Sequence, residues 1–193
     1  MRLGDIAEIR TGLVLTRKKA TIQYNIQAKY RLLTLKNIDE SGIFNNESFD
    51  EFLSNDLLEK HYFTEIGDVL IRLSQPNTAV FVDEQYYGLL VPSSFAIIKV
   101  NQLMCMPEYL AWYLNSDEVK KEFERSQAGT RIPTTNKNVL ETLQISLVTL
   151  EKQEAIMELF KLHQKEKALY IKLIQEKEHW FKALSKKITE GLY

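Results

Sequence analysis

The sequence predicts an α+β fold: one compact domain of short strands and helices followed by a long C-terminal α-helix. Three observations predict it. Turn chemistry breaks the first 100 residues into short β-branched and aromatic runs with little helical periodicity. Helical spacing takes over from Pro107. From Leu150 onward about forty residues run without an internal proline and with Gly191 as their one glycine, which describes a single long helix. The expected division is a head over residues 1–148 and a helical, coiled-coil-like arm over 149–193.

In the head, strands are expected at Leu3 to Ile9, Tyr30 to Leu35, Val69 to Leu73, Ala79 to Asp83 and Ser94 to Val100. Turns separate them at Asp39-Glu40-Ser41-Gly42, Ile66-Gly67-Asp68 and Ser74-Gln75-Pro76-Asn77. Ser54 before Asn55-Asp56-Leu57-Leu58-Glu59-Lys60 reads as a helix start. Pro107-Glu108, followed by Tyr109, Leu110, Trp112, Tyr113 and Leu114, is a helix entry with a wide apolar face, and Asn115-Ser116-Asp117 interrupts it. A second short helix from Asp117 to Ser126 is expected to end at Gly129. Val139 to Leu147 reads as a short helix leading into a strand.

Two apolar stripes run along the arm. Ile156, Phe160, His163, Lys167, Tyr170, Ile174, Phe181, Leu184 and Ile188 share one three-or-four spacing, and Leu159, Leu162, Leu169, Leu173 and Trp180 share another. Neither is a clean heptad. A helix of about 60 Å, at ~1.5 Å per residue, cannot bury both stripes alone, so a second helix is expected against Ile156, Phe160, His163, Tyr170, Ile174, Phe181 and Leu184. The simpler alternative is a helix lying wholly on its own domain.

The bulk numbers bound the class. The chain has 193 residues and a single cysteine, Cys105, which excludes an internal disulfide. With no leader-like pattern over Met1 to Gly12 and no apolar run near eighteen residues, a cytoplasmic protein without a membrane span is expected. The net charge of −1 hides a segregation. Residues 1–36 carry eight basic groups against two acids, and residues 37–70 carry nine acids against Lys60. Such polarity fits a basic face for nucleic acid and an acidic face for solvent or protein. It also fits a mixture that folding brings together.

Enzymatic readings find little. The chain has neither a glycine-rich cofactor loop nor a Pro-Pro-aromatic methyltransferase run, so no cofactor is expected. Glu108 with Glu118-Val119-Lys120 superficially matches a nuclease metal site, but both segments read as helices, whereas that chemistry places its acids at strand ends. His61, His163 and His179 are too dispersed for a metal, and Cys105 among Leu103, Met104 and Met106 reads as core.

Several segments, in order, carry a resemblance. They are Arg2-Leu3-Gly4-Asp5-Ile6-Ala7-Glu8-Ile9, Tyr30-Arg31-Leu32-Leu33-Thr34-Leu35-Lys36-Asn37-Ile38-Asp39, Gly67-Asp68-Val69-Leu70-Ile71, Ser93-Ser94-Phe95-Ala96-Ile97-Ile98, Pro107-Glu108-Tyr109-Leu110 and Gly129-Thr130-Arg131-Ile132-Pro133. Together they resemble a target recognition domain of the specificity subunit of type I restriction-modification enzymes. Leu150-Glu151-Lys152-Gln153-Glu154-Ala155-Ile156 is similar to the family's Pro-Leu-x-x-Gln-x-x-Ile junction, here without the proline. The family's subunit carries two recognition domains and two long helices, and this chain has one of each.

The resemblance implies a non-catalytic subunit that reads double-stranded DNA. It would position a methyltransferase and, in the complete restriction system, a nuclease-translocase on an interrupted target. One head and one helix imply a homodimer through the arm and a palindromic split site, or else one half of a longer protein. Phosphate contacts need long cations and base reading needs forked or amide side chains, which selects three polar loops. They hold Arg17, Lys18 and Lys19; Arg72, Gln75 and Asn77; and Gln127, Thr130, Arg131, Asn136 and Lys137. Arg131, between a glycine and a proline, is the foremost base-reading candidate. The rival reading is a protein-interaction adaptor with an oligomerising helix, docking through its acidic block.

Overall fold

The structure is a computed structural model that describes residues 1–45, 47–127 and 134–191, with the backbone alone for Gln127. By its internal contacts the chain divides into two compact units, Met1–Gln153 and Glu154–Tyr193.

The first unit is built around an antiparallel sheet. Strands β1 (Ala7–Thr11), β2 (Ala28–Leu32), β3 (Asp50–Ser54), β4 (Val69–Arg72), β5 (Ala79–Phe81) and β6 (Phe95–Val100) form a four-stranded sheet of order β1-β6-β4-β5 and a separate hairpin-like pair, β2-β3. Ile9 faces Ile98, and Leu70 lies between Ile97 on one side and Val80 on the other. β4 and β6 are apolar on both faces, as central strands covered on both sides must be. Leu70, Val80, Phe95 and Ile97 enter one core with Leu33, Val82, Leu89 and Val91. Val69, Ile71, Ala96 and Ile98 alternate to the opposite face and are equally buried.

Helix α1 (Pro107–Leu114) packs on β4 and β5. Its proline at the first turn and its apolar face, Tyr109, Leu110, Tyr113 and Leu114, form the helix the sequence predicts. It stops where Asn115 turns its amide onto the free edge of β5. The Ala79 amide donates to Asn115 Oδ1 at 2.9 Å, and Asn115 Nδ2 donates to the Ala79 carbonyl at 2.7 Å and to the Ala111 carbonyl at 3.0 Å. The side chain thus takes the place of a neighbouring strand on an exposed edge. Gly42, at φ +79°, lies so close that a Cβ there would be 2.3 Å from Asn115 Nδ2 and 2.6 Å from the Ala79 carbonyl oxygen.

Helix α2 (Asp117–Gln127) buries Val119 and Phe123, one turn apart. Helix α3 (Lys137–Thr142) leads to a segment that meets the N-terminus: Leu3 N donates to the Leu143 carbonyl and Ile145 N to the Met1 carbonyl, each at 2.9 Å. Helix α4 runs from Leu150 to Thr189, and Gly191 adopts φ +66° beyond its end. Its first turn is held by Gln153, whose fully buried amide accepts from Met106 N at 2.8 Å and donates to the carbonyls of Met104 (3.1 Å) and Val148 (2.9 Å).

Several expectations are corrected. Leu3–Asp5 is a 3-10 turn, because the Asp5 carboxylate accepts from Arg2 N at 2.8 Å, and the strand begins only at Ala7. Ser54 is the last residue of β3 and starts no helix. Its backbone pairs with Ala28, its hydroxyl donates to the Lys18 carbonyl at 3.2 Å, and Phe52 points into a small core with Leu13 and Leu90. The β2–β3 pairing outweighs the local capping pattern. After α3 the chain makes an isolated bridge from Gln144 to Arg2 instead of a named strand. The expected end at Gly129 lies outside the described residues.

Two substitutions test these contacts. Gln153→Ala leaves Met106 N and two carbonyls without their partner and is expected to lower stability by about 1–3 kcal/mol. Gly42→Ala meets both a positive φ and a backbone wall, and its expected loss is larger. Thermal and denaturant unfolding monitored by circular dichroism reads both, and an unchanged midpoint for either would remove the role assigned to it.

Candidate functional site

Two of the three predicted loops come together. β4 continues past Arg72 into Leu73, whose carbonyl accepts from Thr135 N at 2.7 Å and from Asn77 Nδ2 at 3.1 Å, while Ser74 bridges to Thr134. A single backbone position therefore ties the Ser74–Asn77 turn to the segment leading into α3. These segments are about sixty residues apart in sequence, and sheet extension joins them.

Within the first loop the side chains divide by role. Asn77 is buried at φ +51° and donates to the carbonyls of Arg72 (3.2 Å) and Leu73 (3.1 Å), so it shapes the turn. The Gln75-Pro76 bond is cis, and both residues are exposed. Arg72 is half-buried, with Nε donating to Ser74 Oγ at 3.1 Å, which steers its guanidinium along the loop. Gln75 therefore projects while Asn77 holds the turn that presents it.

The second loop divides likewise. Asn136 caps α3, its Oδ1 accepting from Val139 N at 3.1 Å, and Lys137 lies 3.5 Å from Glu141 one turn on. Thr130 and Arg131 lie outside the described residues, as does the side chain of Gln127. A cleft of about 380 Å³ opens beside the first loop, lined by Glu40, Gln75, Pro76, Asn77, Lys120 and Glu124. Lys120 and Glu124 come from α2, one turn apart. Sequence reasoning placed Lys120 only in a dismissed metal motif, and its proximity to Gln75 depends on how α2 packs.

The third loop belongs elsewhere. Lys18 and Lys19 run beside β3: Asn55 N donates to the Lys18 carbonyl at 2.9 Å, and Lys19 bridges to Ser54. Lys18 Nζ is 2.5 Å from Asp56 Oδ2. That hydrogen bond raises the Lys18 ammonium above its ordinary range and lowers the Asp56 carboxyl. Lys18 is half-buried, whereas Lys19 is exposed, as is Arg17 in a 3-10 turn, Leu15–Arg17.

The same pattern accounts for the charge segregation. Lys29 lies 3.4 Å from Glu51 and Lys36 lies 2.7 Å from Asp50, so basic groups of the first block meet acids of the second. Lys99 reaches both Glu65 (2.5 Å) and the buried Asp68 (3.7 Å). Folding converts much of the apparent acidic block into ion pairs at or near the surface. Among the described residues no group of three His, Cys, Asp or Glu side chains is arranged to hold a metal, and Glu108 and Glu118 sit in the first turns of α1 and α2.

On the arm, Tyr170, Ile174, Phe181 and Leu184 are exposed, as is His163, while Ile156 and Phe160 are half-buried. Leu159, Leu162, Leu169, Leu173 and Trp180 of the second stripe are exposed as well. Among the described residues no helix is long and apolar enough to cross a membrane.

The fold recurs in known proteins. A chain from a structure describing complex assembly and conformational transition of the type I R-M system is similar at 20% identity and a TM-score of 0.67, over 88% of this chain and 43% of that one. The HsdS subunit from Thermoanaerobacter tengcongensis is similar at 22% identity and a TM-score of 0.61, over 87% of this chain and 44% of the other. The type I restriction-modification S subunit from M. genitalium is similar at 13% identity and a TM-score of 0.53, over 86% and 38%. This chain thus spans less than half the length of these relatives, and at such identities the likeness is one of fold. No curated protein matches. The family described as the type I restriction modification DNA specificity domain matches residues 1–178, and the chain belongs to that family.

Proposed function

We propose that this chain is the DNA sequence-recognition subunit of a type I-like restriction-modification or methyltransferase complex, and that it reads one half of an interrupted target without doing chemistry itself. The observation that carries this reading is the family match over residues 1–178, which takes in the whole head and most of the arm. The recognition domain is residues 1–148 and the partner-binding arm is residues 149–193. The partners are double-stranded DNA, a methyltransferase subunit and, in a full restriction system, a nuclease-translocase subunit, all in the cytoplasm. A second copy joins through the arm.

The joined loops support a base-reading edge, because Gln75 projects from a turn that Asn77 and Leu73 hold in shape. Its amide suits bidentate recognition of adenine. Lys120 and Arg72 supply cations nearby, and Arg17 and Lys19 supply phosphate contacts from the β2–β3 side. The pairing of Lys29, Lys36 and Lys18 with carboxylates leaves less acidic surface for an adaptor to use.

Co-expression with the methyltransferase encoded nearest to the gene, followed by mapping of methylated bases, tests the function: an interrupted motif is expected, palindromic if two copies of this chain read it. No complex and no motif would sink the reading. Gln75→Ala and Arg131→Ala are each expected to weaken specific binding by about 1–3 kcal/mol with lost discrimination at one position. Lys19→Ala should weaken binding evenly on all sequences and flatten the salt dependence by about one phosphate contact. Binding titrations over a series of single-base variants and salt concentrations separate these outcomes.

A further inference from the structure

The cleft beside the first loop is assembled from three segments, each held in place by its own contacts. Glu40 stands in the turn between Asp39 and Ile43, where Asp39 Oδ1 accepts from Ser41 N at 2.9 Å and from Ile43 N at 3.1 Å. Gln75 stands on the turn that Asn77 shapes. Lys120 and Glu124 stand on α2, which the buried Val119 and Phe123 anchor. Elsewhere on that helix charges pair, as Arg125 does with Glu122 at 3.6 Å. The side chains of Glu40, Gln75, Lys120 and Glu124 hold no hydrogen bond or ion pair among the described residues.

These groups divide by what they can offer. A carboxylate only accepts, an ammonium only donates, and an amide does both. In the major groove guanine shows acceptors alone, cytosine shows the lone donor of its exocyclic amine, and adenine shows one donor and one acceptor. We infer that Lys120 and Glu124 read a G·C pair in the same half-site as the adenine that suits Gln75, with Lys120 donating to guanine and Glu124 accepting from the cytosine amine. The inference rests on the reading that this chain recognises DNA through the joined loops, and it adds a base pair and the residues that select it. One helical turn sets the two side chains about 5–6 Å apart at Cβ, so a single approach of α2 meets both bases of a pair.

Other occupants fit the cleft less well. A phosphate would meet the carboxylates of Glu40 and Glu124 together with Lys120, so the lining as a whole repels it. An A·T pair places the adenine ring-nitrogen acceptor beside its amine, where a carboxylate gains one contact and opposes the other. It also turns the thymine methyl toward the ammonium, which then loses water without a full partner. Lys120 and Glu124 compete with each other only weakly, because lysine on the N-terminal side is the poorer order for an i,i+4 ion pair. Little is therefore lost when each turns to a base.

The full chain, co-expressed with its methyltransferase, tests the assignment by mapping of methylated bases and by equilibrium binding to duplexes varied one base pair at a time. Lys120→Ala and Glu124→Ala are each expected to relax one and the same position, a G·C pair in the wild-type target. Discrimination there should fall about tenfold to a hundredfold while the other positions keep theirs. Glu124→Gln keeps the side-chain shape but adds a donor, and it should lower the preference for G·C over A·T at that position. It also preserves the test if an alanine variant unfolds α2, which circular dichroism would reveal. Relaxation at two different positions, at an A·T pair, at every position alike or at none would overturn the assignment and leave the recognition subunit standing. A wild-type complex that methylates no interrupted motif would refute both.

Discussion

The head depends on one constraint: β4 and β6 are apolar on both faces and must be covered on both. Leu70 and Ile97 on one side, and Ile71 and Ile98 on the other, leave no face for water. The Leu33-Val82-Leu89-Val91 layer lies on one side, and α1 packs on β4 and β5. Burial of this kind supplies most of the favourable free energy of a domain of this size, and it is indifferent to direction. Direction comes from the polar groups that the burial strands.

Four side-chain amides meet that need. Asn115 closes the edge of β5, Gln153 holds the first turn of α4, and Asn77 shapes the turn after β4. Asn37, fully buried, accepts from Thr34 N at 2.9 Å and donates to the Glu47 carbonyl at 3.1 Å. An amide carries donors and an acceptor together, so one buried side chain satisfies backbone groups from segments that no ladder joins. The turn that presents Gln75 exists because Asn77 satisfies two carbonyls beneath it. The Ser74–Asn77 turn is thereby tied to the end of the strand from which it grows.

Electrostatics follows the same logic on the surface. The separation between residues 1–36 and 37–70 looks like two opposed faces along the chain, yet Lys18, Lys29 and Lys36 meet Asp56, Glu51 and Asp50 in space. Ion pairs this exposed add little stability, but they set the local sign of the surface. The arm poses the opposite case, because apolar side chains such as Leu159, Leu173, Trp180 and Leu184 are exposed along it.

Local pattern by itself determined a good deal here. Pro107 and the apolar face behind it define α1, the uninterrupted stretch from Leu150 defines α4, and the short apolar runs at Val69, Ala79 and Phe95 define β4, β5 and β6. The ordered motifs also carried the family, because each of them marks a strand, turn or helix end whose pattern is local. The tertiary structure alone decided that Asp50–Ser54 is a strand, that Asn77 and Asn136 are structural, and that the Ser74–Asn77 turn meets Thr134 and Thr135 while Lys18 does not join them. Asp50 and Glu51 are poor strand formers, and their strand exists because β2 lies beside it. Periodicity is written between neighbours in the chain. The partner of a backbone carbonyl or a carboxylate is set by which distant segments burial brings together, as Ser54 and Lys18, thirty-six residues apart, illustrate.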